Sequence, residues 1–324
     1  MASKKRTKTP AVRHLRYDVI NSETPGTETS HYIDLAKDLS AVNRRLYRQG
    51  RSYHVRKVTV VSRDTLAFGN FTDNFVGSNV AYQQNAGRIS LSTAPQSWVT
   101  HGAWKRGLKT FNLMNKEATH NLTNNIEGKW ADFKVYLSYD HYAGTKLEPI
   151  DNGGNTVVHG EWRYSNYISP DGTTAHDEMR IHLLGDHNGV IGAWNSVGLI
   201  RSFGNTRATV HDGSPKVPGE ASDDPLLNVF DYGTTVDEVV DQLEFDNDNP
   251  PYDISEYAGA VLNMPKPLVM QDGTVADGST TLGGFEVPCG LIEIECNSPI
   301  ANDVWSVLVE LAPGNYRGIK AESM

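Results

Sequence analysis

The sequence predicts an all-β chain: two packed sheets forming a sandwich, with short helices and long inserted loops. Three observations predict it. Segments rich in β-branched and aromatic residues recur from residue 53 onward, and several alternate apolar with polar. Turn formers separate them, with 29 Gly and 15 Pro in 324 residues. Helical stripes are few by comparison. About eight or nine strands with long connections favour an eight-stranded jelly roll among the sandwiches.

In chain order, residues 1–30 read as a basic arm. Its start, Ala2-Ser3-Lys4-Lys5-Arg6-Thr7-Lys8-Thr9-Pro10, has too few apolar groups to offset the entropy of ordering. Residues 31–324 read as one domain. Leu35, Leu39, Val42 and Leu46 recur at helical spacing and predict a helix over 33–48, with Gly50 as its stop. Residues 53–61 and 88–92 read as strands. Trp104, Leu108 and Phe111, set against Lys105 and Lys109, predict a helix within 96–118. Strand patterns resume at 130–139, 161–168, 178–184, 194–202, 206–210, 290–296 and 304–311. Asp151-Asn152-Gly153-Gly154 and Pro170-Asp171-Gly172 are turn chemistry. Residues 212–285 read as a long surface insertion with an acidic helix candidate at 236–243.

Chemical motifs are scarce. Cys289 and Cys296 flank one apolar run, about 23 Å apart on an extended strand, which predicts free buried thiols and no disulfide. No run of about 18 apolar residues is present, which predicts no membrane span. The first residues lack the apolar stretch of a secretion signal, so the sequons Asn70-Phe71-Thr72 and Asn121-Leu122-Thr123 read as chance matches. There is no GxSxG, HExxH or P-loop. His182 and His187 near Asp186 lack a third ligand at strand spacing. Asp246 and Asp248 precede Pro250 and Pro251, which rules out an EF-hand loop. Glu293-Ile294-Glu295 resembles the carboxylate strand of laminarinase-like hydrolases, but Glu295 replaces the Asp and Ser298 stands at the last acid. A wet face of an amphipathic strand is the simpler reading. These readings predict no enzyme, no cofactor and no metal, with a sandwich carbohydrate-binding module or glycosidase as the alternative.

Charge is the informative feature. The net −9 divides into +8 over residues 1–60 and −17 over the rest, and residues 211–260 hold 13 acids against Lys216 alone. A basic end on an acidic body is the pattern of a nucleic-acid arm on a soluble globule. Lys4, Lys5, Arg6, Lys8, Arg13 and Arg16 are the expected phosphate contacts, extended by Arg44, Arg45, Arg48 and Arg51. The first four also form a nuclear-localisation-like patch.

Residues 32–50, Tyr32-Ile33-Asp34-Leu35-Ala36-Lys37-Asp38-Leu39 through Leu46-Tyr47-Arg48-Gln49-Gly50, resemble the early helix of capsid proteins from circular Rep-encoding single-stranded DNA viruses. Trp104-Lys105-Arg106-Gly107, Trp130-Ala131-Asp132-Phe133-Lys134-Val135-Tyr136-Leu137 and Val304-Trp305-Ser306-Val307 through Ala312-Pro313-Gly314 are similar too, so the likeness covers most of 32–318. These are not chemical motifs, and such proteins often carry a longer Arg-rich arm. The resemblance implies a jelly-roll shell domain at 31–324, with 212–285 as its surface insertion. It implies a homo-oligomeric icosahedral shell of roughly sixty copies or a multiple. The expected partners are the chain itself and a single-stranded DNA genome, with no membrane. The expected location is the virion, with passage through a host nucleus during assembly.

Overall fold

The computed structural model describes residues 10–62, 87–119, 132–168, 178–190, 193–207, 242 and 268–324. The sequons, the acidic run, Asp246 and Asp248, Pro170-Asp171-Gly172, and Lys4, Lys5, Arg6 and Lys8 lie outside those residues. So does the helix candidate at 236–243, apart from Gln242.

In chain order the elements are β1 (His14–Ile20), β2 (Thr29–Asp34), α1 (Leu35–Asn43), β3 (Arg51–Ser62), β4 (Gly87–Thr93), α2 (Trp98–Thr119), α3 (Tyr139–Ala143), β5 (Thr145–Lys146), β6 (Asn166–Ile168), β7 (Glu178–His182), β8 (Asn188–Val190), β9 (Ala193–Gly198), α4 (Leu199–Arg207), β10 (Leu268–Val275), β11 (Ser279–Leu282), β12 (Phe285–Val287), β13 (Leu291–Asn297), β14 (Val304–Leu311), β15 (Pro313–Tyr316) and β16 (Ala321–Ser323). The chain is β-rich, as its pattern predicts. One sheet runs β1-β14-β3-β11, with β12 and β16 also on β3; a second runs β10-β4-β13-β2-β5; a third runs β6-β7-β9-β8.

The first two sheets share one core. Leu15, Tyr17, Val58, Val60, Trp305 and Val307 from the first meet Ile33, Ile89, Leu91, Ile292 and Ile294 from the second, all within 1 % of full burial. The other face of the second sheet is covered as well. Tyr32 and Leu291 pack there with Val99 and Trp104 of α2, Leu199 of α4 and Ile181 of β7. The architecture is therefore three layers, with the β2–β13–β4 sheet in the middle.

Two boundaries differ from the sequence reading. The strands begin at His14, inside the stretch that composition assigns to the arm, and not near Tyr53. Leu15, Tyr17 and Val19 alternate inward there and are buried. Three well-spaced apolar residues suffice because β14 supplies seven register partners. Likewise the 212–285 insertion ends earlier, since 268–287 form β10, β11 and β12. β10 opens on Leu268-Val269-Met270 but continues through polar and small residues, and β11 is Ser279-Thr280-Thr281-Leu282, so neither alternates cleanly. They pair along β4 and β3 all the same.

Helices and strands shift in instructive ways. Helix α1 starts two residues later than predicted because Asp34 caps it, its Oδ1 accepting from the Lys37 amide at 3.1 Å. It stops at Arg44, which turns left-handed at φ 52 and returns its N–H to Ser40 O. Gly50, read as the stop, serves instead as a slot: a Cβ there would meet the Trp104 ring at 2.7 Å. In β3, Val55 and Val58 both face inward although three apart. The register against β14 slips between Glu310 and Leu311, and that bulge resets the alternation. The 206–210 pattern is not a strand where it is described: Thr206 and Arg207 close α4.

The segment at 132–139 alternates like a strand but forms a single bridge, Tyr136 with His182. Side chains stand in for the ladder. The Lys134 amide donates to Ser165 Oγ, the Val135 amide to Gln49 Oε1 and the Leu137 amide to His141 Nδ1, at 3.0, 2.7 and 3.0 Å. Backbone donors are satisfied without a sheet, which periodicity cannot reveal.

At one end of the sandwich Asp303 ties four chain segments together. Its carboxylate accepts from Ser62 Oγ at 2.9 Å, Ser298 Oγ at 2.8 Å and the Trp305 indole, and its carbonyl accepts from Asn21. The carboxylate is fully buried. Asp303→Ala strands those donors without water and is expected to cost about 3–4 kcal/mol. Chemical denaturation of the Ala and Asn variants checks this, since Asn keeps one acceptor and should recover part of the loss.

Candidate nucleic-acid interface

Ten cations are expected to meet phosphate, and the structure sorts the six it describes. Arg16 lies on the outward face of β1, 3.6 Å from Asp18. Arg13 precedes that strand and accepts the Leu311 N–H on its carbonyl. Both belong to a folded edge, so folding does give a reason for their position. Arg48 stands 3.6 Å from Asp132. Arg51 donates to Ser323 Oγ and stacks 4.7 Å over Tyr316. These last two are occupied within the fold.

Arg44 and Arg45 differ. Both are exposed at the end of α1. They line a groove of about 180 Å³ whose other walls carry Lys37, Lys134, His159 and Trp162, with Glu161 as the lining acid. The arm joins the domain at this spot. Arg45 donates to Pro10 O at 3.3 Å, and Asn43 clasps Val12 through both its backbone groups at 2.7 and 3.1 Å. Pro10, the first described residue, therefore lies beside the groove.

The groove walls are held from beneath. Asp34 Oδ2 accepts from Gln49 Nε2 at 2.7 Å, the Trp162 indole at 3.1 Å and the Tyr164 hydroxyl at 3.1 Å. Lys37 lies 3.7 Å from Asp38, which in turn accepts the Tyr17 hydroxyl at 2.7 Å. Burial pushes Asp34 up from the usual carboxylate range and Asp38 up to about 8. At neutral pH Asp38 is therefore mostly uncharged, which reduces the negative charge behind the groove. The Lys134 ammonium sits 4.7 Å over the Trp162 ring. Burial lowers its pKa, against the pull of Asp132, Asp34 and Glu161.

Sequence reasoning found Arg44 and Arg45 but missed Lys37, Lys134, His159 and Trp162. A detectable signal was Lys134 itself, a cation inside the apolar run Phe133-Lys134-Val135. Trp162 carried none, because its partner Asp34 is 128 residues away.

The remaining candidates resolve into structure. Glu293 is 6 % exposed and accepts the Tyr32 hydroxyl at 3.0 Å, on the sheet face covered by the third layer. His182 uses both ring nitrogens, with Leu184 O at 2.7 Å and Ser196 Oγ at 3.1 Å, while His187 Nδ1 accepts the Gly198 N–H. No metal-ligand cluster occurs among the described residues. Cys289 and Cys296 are free and buried, as expected, and burial pushes both thiols up. Tyr139, Tyr142 and Trp194 are half-buried: Tyr142 lies against Tyr136 and under Arg180, and Trp194 against His187. Among the described residues no helix is long and apolar enough to cross a membrane. Comparison with protein-family models, curated proteins and solved structures finds no match to this chain.

Proposed function

We propose that this chain is the shell subunit of a small single-stranded DNA virus. It assembles with copies of itself into a closed icosahedral particle and packages the genome through its basic arm. The observation that carries the reading is strand order. Take β1, β2, β3, β4, β10, β11, β13 and β14 as strands one to eight. The facing sheets then read one-eight-three-six and five-four-seven-two. That interleaving of early and late strands supports a jelly-roll wrapping. It supports a rigid block whose edges and loops supply contacts for symmetric assembly.

Charge supports the second half. Pro10, at the foot of the arm, lies beside exposed Arg45, so the arm's cations are tethered next to those of the groove. Such a concentration binds phosphate without reading bases. The 13 acids at 211–260 belong on the outside of a particle, where they do not repel the genome. Subunit contacts would use the outer edges of β1 and β10, where Ile20, Leu268 and Val269 are about half exposed. The chain acts as a structural protein, without catalysis.

Electron microscopy of the purified chain tests this reading. Uniform closed particles are the expected result. Light scattering that shows a stable monomer at every salt and concentration overturns it.

A further inference from the structure

We propose that the groove between α1 and the 159–162 segment is a seat for one phosphodiester group of a single strand, with the adjoining nucleoside against Trp162. This deepens the packaging role proposed above and rests on it for the identity of the strand. The groove itself stands on its own geometry.

Three observations carry it. The first is charge: Lys37, Arg44, Arg45 and Lys134 line the groove against Glu161. The second is Lys134. The residue is only 7 % exposed, and its ammonium sits over the Trp162 ring within the field of Asp132, Asp34 and Glu161. A partly desolvated cation gains from charge-assisted hydrogen bonds in return for its lost water. An anionic oxygen in the groove would supply them. The third is preorganisation. Asp34 holds the Trp162 indole by its N–H, so the ring is fixed before any ligand arrives. A rigid aromatic wall beside a cation is the arrangement that takes a base and its phosphate together.

A free inorganic anion would satisfy Lys134 equally well. The strand is favoured because the arm, with Lys4, Lys5, Arg6 and Lys8, enters beside Arg45 and gathers polyanion there. A carboxylate-bearing peptide would use Arg44 and Arg45 but gains nothing from that arm.

The test uses the full chain and fluorescein-labelled oligothymidylate, read by anisotropy, with an iodouracil-substituted oligonucleotide for photocrosslinking. Lys134→Gln should weaken binding about tenfold, the scale of one charge-assisted hydrogen bond, while Lys134→Arg retains most of it. Arg44→Gln with Arg45→Gln, both exposed and remote from the core, should weaken it similarly and stands in if Lys134→Gln fails to fold. Crosslinks should map to the peptide holding Trp162. Unchanged affinity in both variants, with crosslinks confined to the first residues of the chain, overturns the seat and leaves arm-driven packaging intact. Conversely, loss in these variants but none on replacing Lys4, Lys5, Arg6 and Lys8 by Gln keeps the seat and removes the arm. Inorganic phosphate that displaces the oligonucleotide at equal concentration overturns the strand as the ligand.

Discussion

A chain lacking residues 2–9 should fold normally and lose most of its affinity for single-stranded DNA, whereas one lacking 2–16 should not fold. The two truncations differ by seven residues, and only the longer one cuts into β1. Removal of 2–9 takes away Lys4, Lys5, Arg6 and Lys8 and leaves every described contact in place. Four phosphate contacts on a single strand carry a salt slope of about −3 in log K against log salt, at roughly 0.7 each. The truncated chain should lose that much of its slope. Removal of 2–16 deletes the first three register pairs between β1 and β14 and the buried side chain of Leu15. It also deletes the anchors of Val12 to Asn43 and of Pro10 to Arg45. Loss of one buried leucine already costs about 2–5 kcal/mol, against a total stability of about 5–15 kcal/mol for a typical domain. The unpaired half of β14 and the loosened Tyr17 add to it. Circular dichroism melts and anisotropy over a salt series check both halves. A shorter truncation that binds with the full slope would remove the arm from packaging.

That contrast also marks how far the sequence could be read. Strands β3 and β14 were legible as β-branched runs that bury one face, and β4 and β13 by their alternating side chains, although the middle sheet is covered on both faces. β1 was hidden by composition: its three inward residues sit among Arg13, His14, Arg16 and Asp18, and net charge outvoted spacing. β11 was hidden because its pairing is supplied by the longer β3, and β10 because its apolar start gives way to polar and small residues. The site was half legible for a similar reason. Arg44 and Arg45 stand out in any charge count, but the pairing of Lys134 with Trp162, and of Trp162 with Asp34, joins residues that only the fold brings together. Gln49 and Asp34 gave no sign of their roles, since a hydrogen bond across 15 residues leaves no period in a sequence.

The stability of the fold should peak near pH 6.5 and fall on both sides, with the alkaline fall traceable to Asp38. His141 is buried, its Nδ1 accepting the Leu137 N–H; burial, helped by Lys146 and Lys37, pushes its pKa down to about 3. Burial likewise takes His182 down to about 4. The unfolded chain takes up protons on both rings below about pH 6.5 while the folded chain refuses them, so stability drops as pH falls from 6.5 toward 4. Asp38 works the other way. Burial raises it to about 8 from 3.8, so the folded chain keeps a proton that the unfolded chain releases. Its contribution therefore declines as pH rises from about 4 to about 8, by roughly tenfold in the folding equilibrium for each pH unit. Asp34, also raised by burial, acts in the same direction. Between 4 and 6.5 the two histidines together outweigh the single proton that Asp38 retains; above 6.5 the histidines are silent in both states and the acids prevail. Asp38→Asn keeps an acceptor for the Tyr17 hydroxyl and removes the proton. That variant should already exceed the parent at pH 6.5, by a margin that widens toward pH 8, and retain the acid-side fall. Melting temperatures across pH 4–8.5 decide it: an alkaline fall that persists unchanged in Asp38→Asn would assign the loss to other groups.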